Sequence, residues 1–118
     1  MKYEVTITSI GDHVLQLMQM RESMILFDKD VPYQYSEMVV AHTKGILKED
    51  LVVGDTLHIA GLDYQITAIG ENALQTLREH GHFTLVFDGK ETVEQPGQIA
   101  IHGAVIPRVM VGDLVQFS

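Results

Sequence analysis

The chain has 118 residues, is 46% hydrophobic and 20% charged, carries a formal charge of −8 from 16 acidic and 8 basic residues, and contains no cysteine. That length suits one domain with a single core. The acidic balance argues against a Lys- and Arg-lined nucleic-acid track, and the missing thiols exclude disulfides, a thiolate zinc site and a cysteine nucleophile.

Val5 and Ile7 alternate with Glu4 and Thr6, which predicts a half-buried strand at the start. A short helix follows, capped by Asp12 and burying Val14, Leu17 and Met18. ILFD and MVVAH are β-rich runs, and a Val-Gly-Asp turn then opens another strand, with Gly54 supplying a permissive backbone. The series then recurs. ITSIGDHVLQL (7–17) returns as ITAIGENALQTL (66–77) at an offset of 59, and MILFD (24–28) falls on TLVFD (84–88) at an offset of 60. VVAH (39–42) falls on IAIH (99–102) at the same offset of 60, and LVVGDTLHI (51–59) meets VMVGDLVQF (109–117).

In the second copy Tyr64 and Ile66 alternate with Asp63 and Gln65. Asn72 and Gln75 are placed for a capping box, Leu74 and Leu77 for a core face, Gly81 for a helix stop and Gly112 for the turn. Four segments in one order indicate an internal duplication, with halves of about 1–59 and 60–118 inside a single domain, 1–118. Each unit is too small to bury its own apolar face. The predicted fold is therefore mainly β: a pseudo-two-fold, closed or partly open β-barrel with two short helices. No run approaches the ~18 apolar residues of a membrane helix and MKYEVTITSIG lacks signal-peptide character, so a cytoplasmic protein without direct membrane insertion is expected.

Without thiols, covalent chemistry falls to histidine, carboxylate, lysine or hydroxyl. His42 ends VVAH, and His102 is its counterpart in the offset-60 alignment. Only His42 is followed by phosphoryl-binding chemistry: the hydroxyl of Thr43, the ammonium of Lys44 and the accessible amide of Gly45, against Gly103, Ala104 and Val105 after His102. A neutral imidazole attacks phosphorus with a free lone pair, leaving positioning and charge stabilisation to the protein. His58 and His102 alternate with apolar neighbours and read as outward-facing, and His13 reads as solvated in the first helical turn. His80 and His82 flank Gly81 as an HxH pair, but Val86 and Phe87 stand where a cupin-type metal site wants a glutamate, so no metal is expected. His82, on the face opposite Phe83, Leu85 and Phe87, is a candidate neighbour of the active imidazole. Asp28 and Asp88 suit turn capping.

Together ITSIG, VVAH with GILK, VVGD, YQITAIG, LREHGHFTLVFDG, PGQIAIHG and VGDLVQF resemble the glucitol/sorbitol-specific IIA component of the bacterial phosphoenolpyruvate-dependent sugar phosphotransferase system. The likeness covers nearly the whole chain and is most specific in NALQTLRE and GHFTLVFDG. It implies a phosphocarrier that accepts a phosphoryl group from phosphohistidine on HPr and passes it to the IIB component, which is expected to take it on cysteine. The carrier histidine would be His42, with a covalent phosphohistidine intermediate and no cofactor; Thr43, Lys44, Gly45 and His82 are the candidates for stabilising the phosphoryl group. Two other classes stay open: a non-catalytic β-barrel interaction module indifferent to His42, and a metal- or small-molecule-binding barrel using His80, His82 and a third ligand.

Overall fold

The alternation at the start becomes strand β1 (Tyr3–Ile10), which buries Tyr3, Val5 and Ile7 and exposes Glu4 and Thr8. The computed structural model describes residues 1–118. After β1 come helix α1 (Val14–Arg21), β2 (Ser23–Asp28), a 3-10 turn (Tyr33–Tyr35), β3 (Val39–His42) and β4 (Thr56–Ile59). The second half repeats the series as β5 (Leu62–Ile69), α2 (Ala73–His80), β6 (Phe83–Val86), β7 (Gln98–His102) and β8 (Leu114–Phe117).

The strands close a barrel in the order β1-β3-β2-β6-β7-β5-β4-β8. Exchanging every strand for its counterpart in the other half reproduces the same ring in the reverse direction, which is the pseudo-two-fold barrel expected from the repeats. Closure leaves no unpaired edge, which neither half could achieve alone. The halves interlock: Gly54 N–H donates to the Ile66 carbonyl and Gly112 N–H to the Ile7 carbonyl, both at 2.8 Å. Each Val-Gly-Asp turn thus closes on the first strand of the opposite half, and both glycines adopt the positive φ assigned to them (98° and 96°).

The ladder corrects the alignment of the repeats. Ile10 pairs with Val40 where Ile69 pairs with Ile99, and Leu26 pairs with Val40 where Leu85 pairs with Ile99. Gly11 N–H donates to Val39 and Gly70 N–H to Gln98, while His13 N–H donates to Glu37 and Asn72 N–H to Pro96. Every one of these equivalences has an offset of 59, so His42 corresponds to Ile101 rather than His102, and Asp28 to Phe87 rather than Asp88. The offset-60 likeness follows the turns after β2 and β6, where Asp28 accepts from Asp30 N–H and Asp88 from Lys90 N–H. Facing follows the ladder, in which a slip of one residue exchanges inside for outside.

One core cluster fills the barrel, joining Leu26, Leu57, Phe83, Leu85 and Phe117 with Val14 and Met18 from α1 and Ala73 and Leu77 from α2. Leu17 is only partly buried. The caps differ from expectation: His13, not Asp12, is the N-cap of α1, and neither it nor Asn72 makes a side-chain cap bond. Backbone bonds from His13 and Asn72 to the segment before the third strand of each half anchor the helix starts instead, and Gln75 donates to Glu79 rather than completing a capping box. No helix is long and apolar enough to cross a membrane. Leu85, fully buried beside the pseudo-axis, is a direct gauge of this core: Leu85→Ala should cost about 3 kcal/mol, read as a lower urea midpoint at unchanged slope.

Candidate functional site

His42 closes β3 on the inward face and is 0% exposed. Its Nδ1 lies 2.7 Å from the Thr43 carbonyl oxygen and its Nε2 lies 2.8 Å from the Gly81 carbonyl oxygen. A neutral imidazole has one N–H and donates to only one of these acceptors. Asp28 sits beside it in parallel register on β2, 7% exposed, with Oδ1 accepting from Asp30 N–H at 2.9 Å. Tyr3 on β1 presents its ring at right angles to the imidazole, with centroids 6.4 Å apart.

The other half of the barrel shows what this wall would look like if it were only structural. At the offset of 59, Tyr3, Asp28 and His42 correspond to Leu62, Phe87 and Ile101, all apolar. The architecture is satisfied by hydrocarbon at these places, and a polar group there costs desolvation unless it is paired. A polar cluster confined to one half marks the candidate site.

Gly81 points the same way. It ends α2 in the left-handed conformation (φ 59°), but its counterpart Glu22 ends α1 at φ 51°, so this backbone tolerates a side chain. A Cβ on Gly81 would lie 2.5 Å from Cε1 of His42, 3.1 Å from Nε2 and 3.2 Å from Cβ of Asp28. A side chain at Gly81 would therefore meet the His42 imidazole and the Asp28 β-carbon in addition to adopting the left-handed turn.

A family model described as PTS system glucitol/sorbitol-specific IIA component matches residues 2–116. The chain belongs to the glucitol/sorbitol-specific IIA family. It is 33% identical over 116 residues to the PTS system glucitol/sorbitol-specific EIIA components of Escherichia coli (strain K12) and of Shigella flexneri, matches that span 98% of this chain and 94% of each relative. The crystal structure of the PTS system IIA component from Enterococcus faecalis V583 has the same fold, with a TM-score of 0.83 at 21% identity, covering 97% of this chain and 98% of that one.

Around His42 of this IIA chain, the segment after β3 is tied to β1. Thr43 N–H donates to the Thr6 carbonyl (2.9 Å), and Thr6 N–H donates to Oγ1 of Thr43 (3.0 Å). Gly45 lies against Val5 and the Tyr3 ring, where a Cβ would meet Val5 at 2.6 Å. Lys44 is exposed, with Nζ 2.6 Å from Asp30 and 3.8 Å from Asp28. This pairing raises the lysine pKa, first through the hydrogen bond with Asp30 and then through the charges of Asp28 and Asp30; the same bond lowers that of Asp30.

His82 is placed differently. Its ring packs on Phe27 (4.8 Å), a partly exposed residue of β2 between the inward-facing Leu26 and Asp28. Burial, and then the neighbouring His80, hold its pKa below the ordinary value. His80 also lies against Phe27 (6.1 Å), and no three His, Asp or Glu side chains gather as a metal site. His102 and His58 are outward-facing, the latter 2.5 Å from Asp63, and His13 is exposed.

The sequence reading singled out Thr43, Lys44 and Gly45 next to His42, but not Tyr3 or Asp28, and it took Gly81 for a helix stop alone. Counting by twos from Met24 and Leu26 puts Asp28 on the apolar face, a signal that was present in the chain. Gly81→Ala should destabilise the protein by about 2 kcal/mol through left-handed strain and the clash. In a His42→Ala background the penalty should shrink by on the order of 1 kcal/mol; a double-mutant cycle of urea unfolding measures that coupling.

Proposed function

We propose that this chain is a phosphocarrier of the phosphotransferase system, in which His42 takes a phosphoryl group from phosphohistidine on HPr and passes it to a cysteine of the IIB component during sugar or polyol uptake. The observation that carries the reading is the buried polar wall of Asp28, His42 and Tyr3, which the duplicated half replaces with Phe87, Ile101 and Leu62. Membership of the IIA family supplies the reaction class.

The two ring nitrogens face carbonyls from different parts of the barrel, Thr43 after β3 and Gly81 after α2. Thr43 is fixed to β1 through Thr6, so Nδ1–H donating to its carbonyl sets the ring orientation and the tautomer. In that tautomer Nε2 and the Gly81 carbonyl oxygen are two acceptors 2.8 Å apart, an unfavourable contact, and displacement of the turn between α2 and β6 relieves it and exposes the Nε2 lone pair. Nε2 then forms the new N–P bond as the P–N bond to the HPr imidazole breaks, and the departing imidazole keeps that electron pair. In the second step a IIB thiolate forms S–P as the Nε2–P bond breaks, which restores neutral His42. Catalysis here rests on in-line positioning and on charge stabilisation.

Lys44 is the cation at this rim and is paired with carboxylates before transfer. On phosphorylation it exchanges Asp30 for phosphoryl oxygens, joined by the Thr43 hydroxyl and the Gly45 N–H; His82 takes part only through the turn it shares with Gly81. The covered nitrogen also protects a resting carrier from adventitious chemistry until a partner opens the turn.

Intact mass after incubation with phosphoenolpyruvate, enzyme I and HPr tests the reading. Wild type and His102→Ala should each gain one acid-labile phosphoryl group and His42→Ala none. No gain in wild type while HPr is phosphorylated would return the interaction-module reading. Lys44→Ala should slow transfer about tenfold without lowering the unfolding midpoint, and an unchanged rate would remove it from the site.

A further inference from the structure

Tyr3 is 1% exposed, and its hydroxyl is the one buried side-chain polar atom without a hydrogen-bond partner. An unpaired buried donor is costly and uncommon in a native protein, so it calls for a reason. The same barrel contains the ordinary solution: Tyr64 on β5 donates its hydroxyl to the Val105 carbonyl at 2.5 Å. Tyr3 forgoes such a bond, and its counterpart Leu62 shows that this position needs no hydroxyl for folding.

The surroundings of Tyr3 are those of the candidate site. Its ring meets His42 edge-on at 6.4 Å and lies against Gly45. Phe83 and Phe117 hold it on its other sides, with ring centroids 6.5 Å away in both cases, which restricts its rotation. Asp28 is close enough for its charge to act on the phenol, and Asp28 and the Cε1–Nε2 edge of His42 both abut Gly81. Burial, and then Asp28, push the phenol pKa up to about 12, so the hydroxyl stays a donor throughout the physiological range.

We propose that the Tyr3 hydroxyl is held unpartnered in the resting protein so that it donates to a phosphoryl oxygen once His42 is phosphorylated. It would be a residue that touches the transferred group, assigned from its orphaned hydroxyl and its place beside His42, Asp28 and Gly81. The proposal rests on His42 being the carrier. A phenol donor gains a charged acceptor on phosphorylation without giving up an earlier bond, so the hydroxyl contributes selectively to the phosphorylated state. Phosphoryl oxygens next to Asp28 meet like charge, and a fixed donor inside the wall offsets that repulsion where the exposed Lys44 reaches only from outside.

The test compares wild type, Tyr3→Phe and Tyr3→Leu, the last using the residue of the other half. Each is equilibrated with phosphoenolpyruvate-charged HPr, and the phosphorylated fractions of both proteins are read by intact mass; thermal unfolding of the unphosphorylated proteins is measured alongside. Both variants should lower the equilibrium constant for phosphoryl transfer from HPr about tenfold, and Tyr3→Phe should leave the unphosphorylated Tm unchanged or higher. An unchanged equilibrium in Tyr3→Phe overturns the proposal. So does a marked fall in its unphosphorylated Tm, because the hydroxyl would then have a partner at rest. Absence of label on wild type itself would overturn the carrier reading and this proposal together, which separates the two failures.

Discussion

Register in the closed ladder decides almost everything else in this protein. Two units of one strand-helix-strand pattern share eight strands, and β2 meets β6 antiparallel while each Val-Gly-Asp turn bonds to the opposite half. Because side chains alternate across a strand, the pairing that closes the ring also determines which residues look into the core. It turns Asp28 and His42 inward on adjacent parallel strands and leaves His102 outside. The chemistry of the site is thus a consequence of how the halves lock.

The duplication supplies an internal control that single-copy folds lack. One copy of the wall carries Leu62, Phe87 and Ile101, and the other carries Tyr3, Asp28 and His42 in the same places. Buried polar groups oppose stability unless they are paired, and in the apolar copy the barrel closes without them. Gly81 extends the contrast, since at the matching left-handed position the other half carries Glu22, whose side chain has no imidazole to meet. The departure from symmetry therefore marks the candidate site. It also leaves the His42 Nε2 covered by the Gly81 carbonyl at the end of α2.

The barrel, its two helices and the duplication were legible because periodicity and repeated turns survive in the chain: Gly54 and Gly112 mark equivalent turns, and Val5 and Ile7 alternate as Tyr64 and Ile66 do. The local register was not, because identity and facing obey different constraints there. Asp28 and Asp88 look equivalent since both close the same kind of turn, yet the ladder places Phe87 opposite Asp28 in the symmetry. His42 was picked out by its neighbours Thr43, Lys44 and Gly45, whereas its burial and its contact with Gly81, thirty-nine residues away, are tertiary facts. Tyr3 was invisible for a related reason: an aromatic residue on a strand reads as core, and only the finished wall shows that its hydroxyl has no partner.

The central claim is that His42, through Nε2, carries the phosphoryl group inside this wall. Long-range proton–nitrogen correlation spectra of the protein labelled with nitrogen-15 at histidine, recorded before and after phosphorylation by HPr, test it most directly. The account predicts that one of the six imidazoles changes, that it is absent from spectra of His42→Ala, and that phosphorus coupling appears on Nε2 while Nδ1 keeps its proton. Phosphorus coupling on His82 or His102, or on Nδ1 of His42, would contradict it.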